Sequence, residues 1–334
     1  MKTLIYSHKH YLAPLAWRLS REGEDVSLVT LKKRYQGVWS GRLPQAIEGG
    51  ADIQPDHPDL KPWVESAALG ETRVITDVKS AVPSFSGSTH FFYTLKMPAP
   101  SRENYNLVLG AWWDGTTWQL PHWYLPEWGL FPGGLGSEVI AGGTILRGST
   151  YPLDLLQPLE GPLTEAGFKG LVGLGVRYVE SSGKLEPTQM FTAGWGEWLH
   201  WELALGELES LNLLLTHGDH HLGLPPFTVG IVVSQPPWPS VGFPTPPSVD
   251  LTFTPEVTKK IFFHDINIVE GKITTCGADG LVGVARGSGR SLAKARQVAL
   301  VTADAIRFPE RQLRPDVGAG ADNLVVALEQ LGYW

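Results

Sequence analysis

Three arginines in the last third of the chain, Arg286, Arg290 and Arg314, carry planar guanidinium forks of the kind that suit phosphate. Upstream, the stretch GLFPGGLGSE at 129–138 offers the backbone of Gly133, Gly134, Gly136 and Ser137 as further anion contacts. Two carboxylates, Glu197 and Asp316, are candidates for the base that takes a proton from an ammonium nucleophile. Trp195 and Gly196 precede Glu197 directly and join the candidate substrate contacts. Each reading has a plainer rival: arginines solvate surfaces, and an aspartate such as Asp316 caps a loop. The run HGDHH at 217–221 has the composition of a metal cluster, but it follows a predicted helix end, where histidines satisfy carbonyls and the helix dipole. No metal ligand and no cofactor is therefore assigned. Cys276, in TTCGADG, has no obvious neighbouring base and reads as a buried, inert thiol. Neither a GxSxG elbow nor a P-loop is present.

The elements that must position these groups are legible in part. Residues 3–6, LAPLAWRLSREG and DVSLVTL read as strand, helix and strand, with Leu12, Leu15, Ala16 and Leu19 at helical spacing and Gly23 as the stop. This is the opening of a Rossmann-like layer, but the turn SHKHY lacks the glycines of a dinucleotide site. Residues 46–89 read as an irregular linker with one strand near 73–78. Strands are expected at 90–96, 105–112 and 117–120, the last two joined by an Asp114-Gly115 turn. A helix is expected at 152–167, a strand at 171–180, and a long helix at 202–215. The last third predicts strands at 228–234, 260–263 and 281–285, then a helix at 291–306 capped by Ser291, and a short helix at 322–331.

Composition bounds the function. The chain has 334 residues with 43% apolar and 18% charged side chains, which is globular rather than disordered. One cysteine excludes an intrachain disulfide and a thiolate metal cluster, and fits a reducing, cytoplasmic setting. No apolar run is long enough for a membrane span, so no membrane partner is expected. A net charge of −7 argues against duplex binding, with Lys32, Lys33 and Arg34 as the only basic run. Of the 13 tryptophans, many cluster at 112–128 and 195–201, and they read either as core or as a stacking surface for bases.

The segment from Lys260 to Ala321 carries a resemblance to the C-terminal domain of phosphoribosylamine–glycine ligase (glycinamide ribonucleotide synthetase), of the ATP-grasp superfamily. Residues 280–286 resemble its GRVLGVTALG strand, 292–303 its following helix, and Arg314-Pro315-Asp316-Val317-Gly318 its RxDIG. Further upstream, TVGIVV with the proline-rich loop after it, residues 170–179, GGLGS at 133–137, residues 108–121 and residues 11–17 follow the family's order over about 240 residues in all. The departures fall on ATP handling. Where the family has EFN and then RFGDPE, this chain has Met190-Phe191-Thr192 and then GWGEWL. A thioether and a hydroxyl do not replace a carboxylate and an amide around a hard cation.

The resemblance implies an α+β (α/β) fold: a truncated Rossmann-like layer at 1–45, the linker at 46–89, an ATP-grasp-like central domain without its lid at 90–224, and a mixed α/β C-terminal domain at 225–334. It implies a transferase joining an amino acid, glycine by resemblance, to a pre-activated phosphorylated nucleotide or modified nucleic acid base without ATP, as in viral DNA base hypermodification. Two alternatives stand beside it. One is a carboxylate–amine ligase that uses Mg-ATP with ligands rebuilt from Glu197, Glu202, Asp219, His220 and His221. The other is a non-catalytic binding protein, which scattered arginines would favour.

Overall fold

The computed structural model describes residues 2–31, 45–46, 61–78, 81, 84–85, 89–91, 106–192, 198–217, 223–239 and 246–334. Glu197, Trp195, Gly196, Asp219, His220 and His221 lie outside them, as do Lys32, Lys33 and Arg34.

The N-terminal layer runs β1 (Lys2–Ser7), α1 (Ala13–Arg21), β2 (Asp25–Thr30), β3 (Gln45–Ala46), α2 (Lys61–Ala68), β4 (Thr72–Thr76) and β5 (Thr89–Phe91). Its five strands are parallel in the order β3-β2-β1-β4-β5. α1 forms where expected: Pro14 sits in its first turn, Arg18 and Arg21 in its last, and Gly23 turns the chain at φ +90°. Its buried stripe of Ala13, Leu15, Ala16 and Leu19 covers the sheet. The layer extends well past residue 45. The expected linker contains α2 and β4, the strand expected near 73–78, which belongs to this sheet because every residue of β4 is buried and its main chain pairs with β1 in the sheet centre.

The second sheet starts with β6 (Leu107–Trp113), β7 (Trp118–Trp128) and β8 (Ile140–Leu146), followed by α3 (Gln157–Glu165), β9 (Gly170–Val179) and β10 (Lys184–Thr192). Then come α4 (Trp198–Leu205), α5 (Leu211–His217), β11 (Phe227–Ser234), β12 (Ile261–Phe263), a separate hairpin β13 (Ile266–Val269) and β14 (Lys272–Thr275), β15 (Leu281–Gly289), α6 (Leu292–Asp304), β16 (Gln312–Leu313) and α7 (Ala321–Gln330). The nine-stranded sheet has the order β10-β9-β6-β7-β8-β11-β15-β12, with β16 beside β11. It therefore runs without a break across residue 224. Among the described tryptophans, Trp112, Trp113, Trp123, Trp198 and Trp201 are buried in the core.

The single helix expected at 202–215 is two. α4 is buried all round, so its leucines follow no stripe, and a Cβ at Gly206 would meet the Glu202 carbonyl at 2.5 Å. Breaking a buried helix orphans its last carbonyls, at a cost of about 1–3 kcal/mol each. Two arginines take them up. Arg147 donates to the carbonyls of Leu203 (3.3 Å) and Ala204 (2.7 Å), and Arg18 to those of Leu205 (2.7 Å), Gly206 (3.2 Å) and Leu208. Glu22, paired with Arg18 at 3.1 Å, accepts from the amides of Leu211 and Asn212 at the start of α5. One turn of α1 thus caps both ends of the break.

A second buried polar feature lies where β7 meets α4. His122 Nε2 and His200 Nε2 are 2.7 Å apart, His122 Nδ1 is 2.7 Å from the Leu120 carbonyl, and Tyr124 stacks on His200 at 4.5 Å. The carbonyl demands a proton on His122 Nδ1, so His200 donates and both rings are neutral. A Cβ at Gly110 would lie 2.4 Å from His122, so only glycine leaves room for the pair. Burial pushes His122 down to about 3 and His200 well below its usual value, with His122 and Arg147 adding to the latter. These folded values lie below the unfolded value of about 6.5, so the stability they contribute is full above that pH and is lost as pH falls below it. Asp77, raised by burial to about 6, acts in the opposite sense. Urea unfolding is expected to lose about 1.4 kcal/mol per neutral histidine per pH unit below 6.5. An H122Q/H200Q double variant is expected to flatten that acid limb; an unchanged limb would show that the pair does not carry it.

Candidate functional site

The glycine-rich loop joins β7 to β8 and is closed on itself, with the Phe131 amide donating to the Leu135 carbonyl at 2.9 Å. Gly133, Gly134 and Gly136 all adopt positive φ, and a Cβ at Gly136 would meet the Phe131 ring at 2.5 Å. The loop stands out into solvent, with Phe131 45% and Leu135 68% exposed.

Under it runs the segment 314–318. Gly133 N–H donates to Asp316 Oδ2 at 2.8 Å, and Arg314 Nε to Asp316 Oδ1 at 2.7 Å. The Arg314 guanidinium also donates to the Trp128 and Gly129 carbonyls and pairs with Glu127 at 3.1 Å. Glu127 in turn accepts from the Gly318 amide, and Val317 fills the space over Gly142. Gly133, Gly134, Gly136, Ser137, Arg314 and Asp316 therefore come together as the sequence suggests, but as a strap. Asp316 is a clamp rather than a base: burial alone would raise its carboxyl, and the donors from Arg314 and Gly133 outweigh that and hold it below its usual value. Both of its oxygens are already engaged.

Arg286 and Arg290 do not join them. Gly287 faces α6, where a Cβ would lie 2.1 Å from the Ala299 amide, so Arg286 points to the other face of the sheet. There it pairs with Glu207 at 3.0 Å, donates to the Lys259 carbonyl and lies over Phe262. It is the third guanidinium around the end of α4. Arg314 lies near Ile140 and Arg290 near Leu146, opposite ends of β8 separated by roughly 20 Å at strand rise. Arg290 is exposed. Spacing along the chain did not reveal which sheet face each arginine occupies.

The structure adds a cluster that spacing did not suggest. The turn after β1 brings His10 and Tyr11 against Trp198 and Glu202 of α4 and against His264, just past β12. His264 Nε2 lies 2.6 Å from Glu202 Oε1, and both side chains are fully buried. Beyond this contact, neither the Glu202 oxygens nor the His264 ring nitrogens find a partner among the described residues. Burial raises the Glu202 carboxyl against the pull of His264. Tyr11 stacks on Trp198 at 5.8 Å and 4°, and Trp198 and His10 meet the His264 ring edge-on at 4.9 and 5.4 Å. Burial, then His264, holds His10 neutral, so its 3.8 Å approach to Asp279 is a weak one. Asp265 accepts from the amides of Ala278, Asp279 and Gly280, which fixes the loop bearing Asp279. Cys276 is half buried, and burial followed by Asp265 pushes its thiol far up, so it is no nucleophile. The available signal in the sequence was histidine in apolar company, in IFFHD and SHKHY.

A parallel N-terminal layer leading into a largely antiparallel sheet flanked by helices is the ATP-grasp architecture, of mixed α+β class. Among solved structures the chain is similar to phosphoribosylamine–glycine ligase from Thermotoga maritima, with TM-score 0.59 and 13% identity over 95% of this chain and 100% of that one. It is also similar to urea carboxylase from Kluyveromyces lactis (TM-score 0.56, 9% identity, 92% of this chain, 30% of that one). A third is phosphoribosylglycinamide synthetase from Anaerococcus prevotii (TM-score 0.51, 8% identity, 92% and 98%). No family model and no curated protein matches the chain. At these identities the likeness is one of fold. No helix among the described residues is long and apolar enough to cross a membrane.

Removing Arg314 leaves Glu127 without its cation, and the side chains are only 9% and 14% exposed. R314A is expected to lose about 3 kcal/mol at pH 7.5 by urea unfolding. Glu127 is already raised by burial, so the loss should shrink toward pH 5 as the carboxyl protonates. A loss that is small at both pH values would mean the strap does not depend on this pair.

Proposed function

We propose that this chain joins an amino acid, glycine by resemblance, through its amine to a phosphorylated, nucleotide-like acceptor that arrives already activated. The ATP-grasp fold supports the broader class, amine–carboxylate ligation. One observation favours the narrower reading. At the two positions that the resemblance aligns with the magnesium-holding carboxylate and amide, Met190 packs on the Trp113, Leu163, Phe168 and Val172 cluster, and Thr192 is buried at the end of β10. A thioether committed to apolar packing is not available to a cation that requires oxygen ligands. Presenting an amine to an activated carbon requires no cation, only a site that holds both partners in line.

The second reading, a binding protein without catalysis, is favoured by the arginines. Two of the three are neutralised internally and lie on opposite sheet faces, so they form no shared anion site.

Titration calorimetry separates these. The expected result is no heat with Mg-ATP and saturable heat with a nucleoside pyrophosphate, strengthened by glycine. Saturable Mg-ATP binding would return the chain to the ATP-dependent ligases. Silence toward every ligand would favour the binding protein.

A further inference from the structure

Resting on the joining reaction just proposed, we infer that His264, oriented by Glu202, is the base that receives the ammonium proton of the incoming amine. Three segments far apart in sequence, the turn after β1, α4 and the end of β12, converge on this pair. A histidine–carboxylate contact with no exposure is rarely retained for stability, since apolar residues of similar size usually serve as well. With the hydrogen of the 2.6 Å contact held on Nε2, as the proposal requires, the lone pair lies on Nδ1. That nitrogen has no partner among the described residues, nor does the second Glu202 oxygen.

Tyr11 is half buried, stacks on Trp198 and lies edge-on to His264 at 6.4 Å. His10 borders the pair, and the charged groups around His10 are Lys9 from the first turn and Asp265 and Asp279 from the C-terminal loops, with Cys276 beside Asp265.

The step balances simply. The ammonium gives one proton to His264 Nδ1, and Glu202 stabilises the resulting imidazolium. The freed amine then forms a C–N bond to the acceptor carbon, the C–O bond breaks, and pyrophosphate leaves with the electron pair.

The test is the joining of isotopically labelled glycine to a nucleoside pyrophosphate as a function of pH, with thermal unfolding alongside. H264Q is expected to lose 10²- to 10⁴-fold in kcat with its melting temperature retained, and to lose the acid limb of the pH profile. E202Q is expected to keep a reduced rate with that limb displaced. Should H264Q fold poorly, the E202L/H264L double variant replaces the pair by apolar volume, and is expected to be folded and inactive. Wild-type joining that H264Q or the folded double variant matches within tenfold would overturn the base and leave the proposed function standing. Wild-type protein that joins nothing would overturn both.

Discussion

The C-terminal end of α4 is the point on which the arrangement turns. Its carbonyls cannot be satisfied by a continuing helix, and they lie where water does not reach. Arg18, Arg147 and Arg286 come to this end from α1, from the residue after β8 and from β15, with Glu22 and Glu207 as counter-charges. Burial lowers all three guanidiniums from their usual values, Arg147 to about 10. A guanidinium tolerates this because it stays charged well above neutral pH and offers several donors in a fixed plane. The cluster joins the N-terminal layer, the middle of the nine-stranded sheet and the C-terminal strands through one helix end.

That joint positions the rest. With α4 fixed at its C-terminus, its first turns carry Trp198, His200 and Glu202 to two different neighbours. His200 meets His122 in an uncharged pair inside the sheet. Glu202 meets His264 beneath the turn after β1. The two histidine contacts differ in kind. The first is closed by a carbonyl and a stacked tyrosine, and has nothing left to offer. The second has groups without a further partner among the described residues and is bordered by His10, Tyr11 and Trp198. The glycine-loop strap, on the opposite face, is closed like the first: each polar group of Arg314 and Asp316 is used in holding the loop.

Much of the scaffold could be read from sequence because local rules agreed with the fold. Pro14, the arginines of the last turn and Gly23 bound α1, Ser291 caps α6, and Asp114-Gly115 turns β6 into β7. The misreadings have physical causes. The expected linker hid α2, where only Ala67 is buried and no apolar stripe marks a helix. The helix at 202–215 followed leucine counts in a segment buried on every side, where periodicity carries no information. The arginines failed as a group because linear spacing cannot say which sheet face a strand residue takes. The His264–Glu202 contact spans a loop, a sheet edge and a helix, and no local pattern encodes it.

The Arg18 joint also bears on the order in which the chain can be made. Arg18 and Leu205 are 187 residues apart in sequence. During synthesis the first strand–helix–strand unit is complete long before its partner exists. Until α4 has emerged, the guanidinium of Arg18 must stay hydrated and the apolar edge of α1 open to other contacts. Docking of the first layer is thus a late event by construction, one that follows translation of nearly two thirds of the polypeptide.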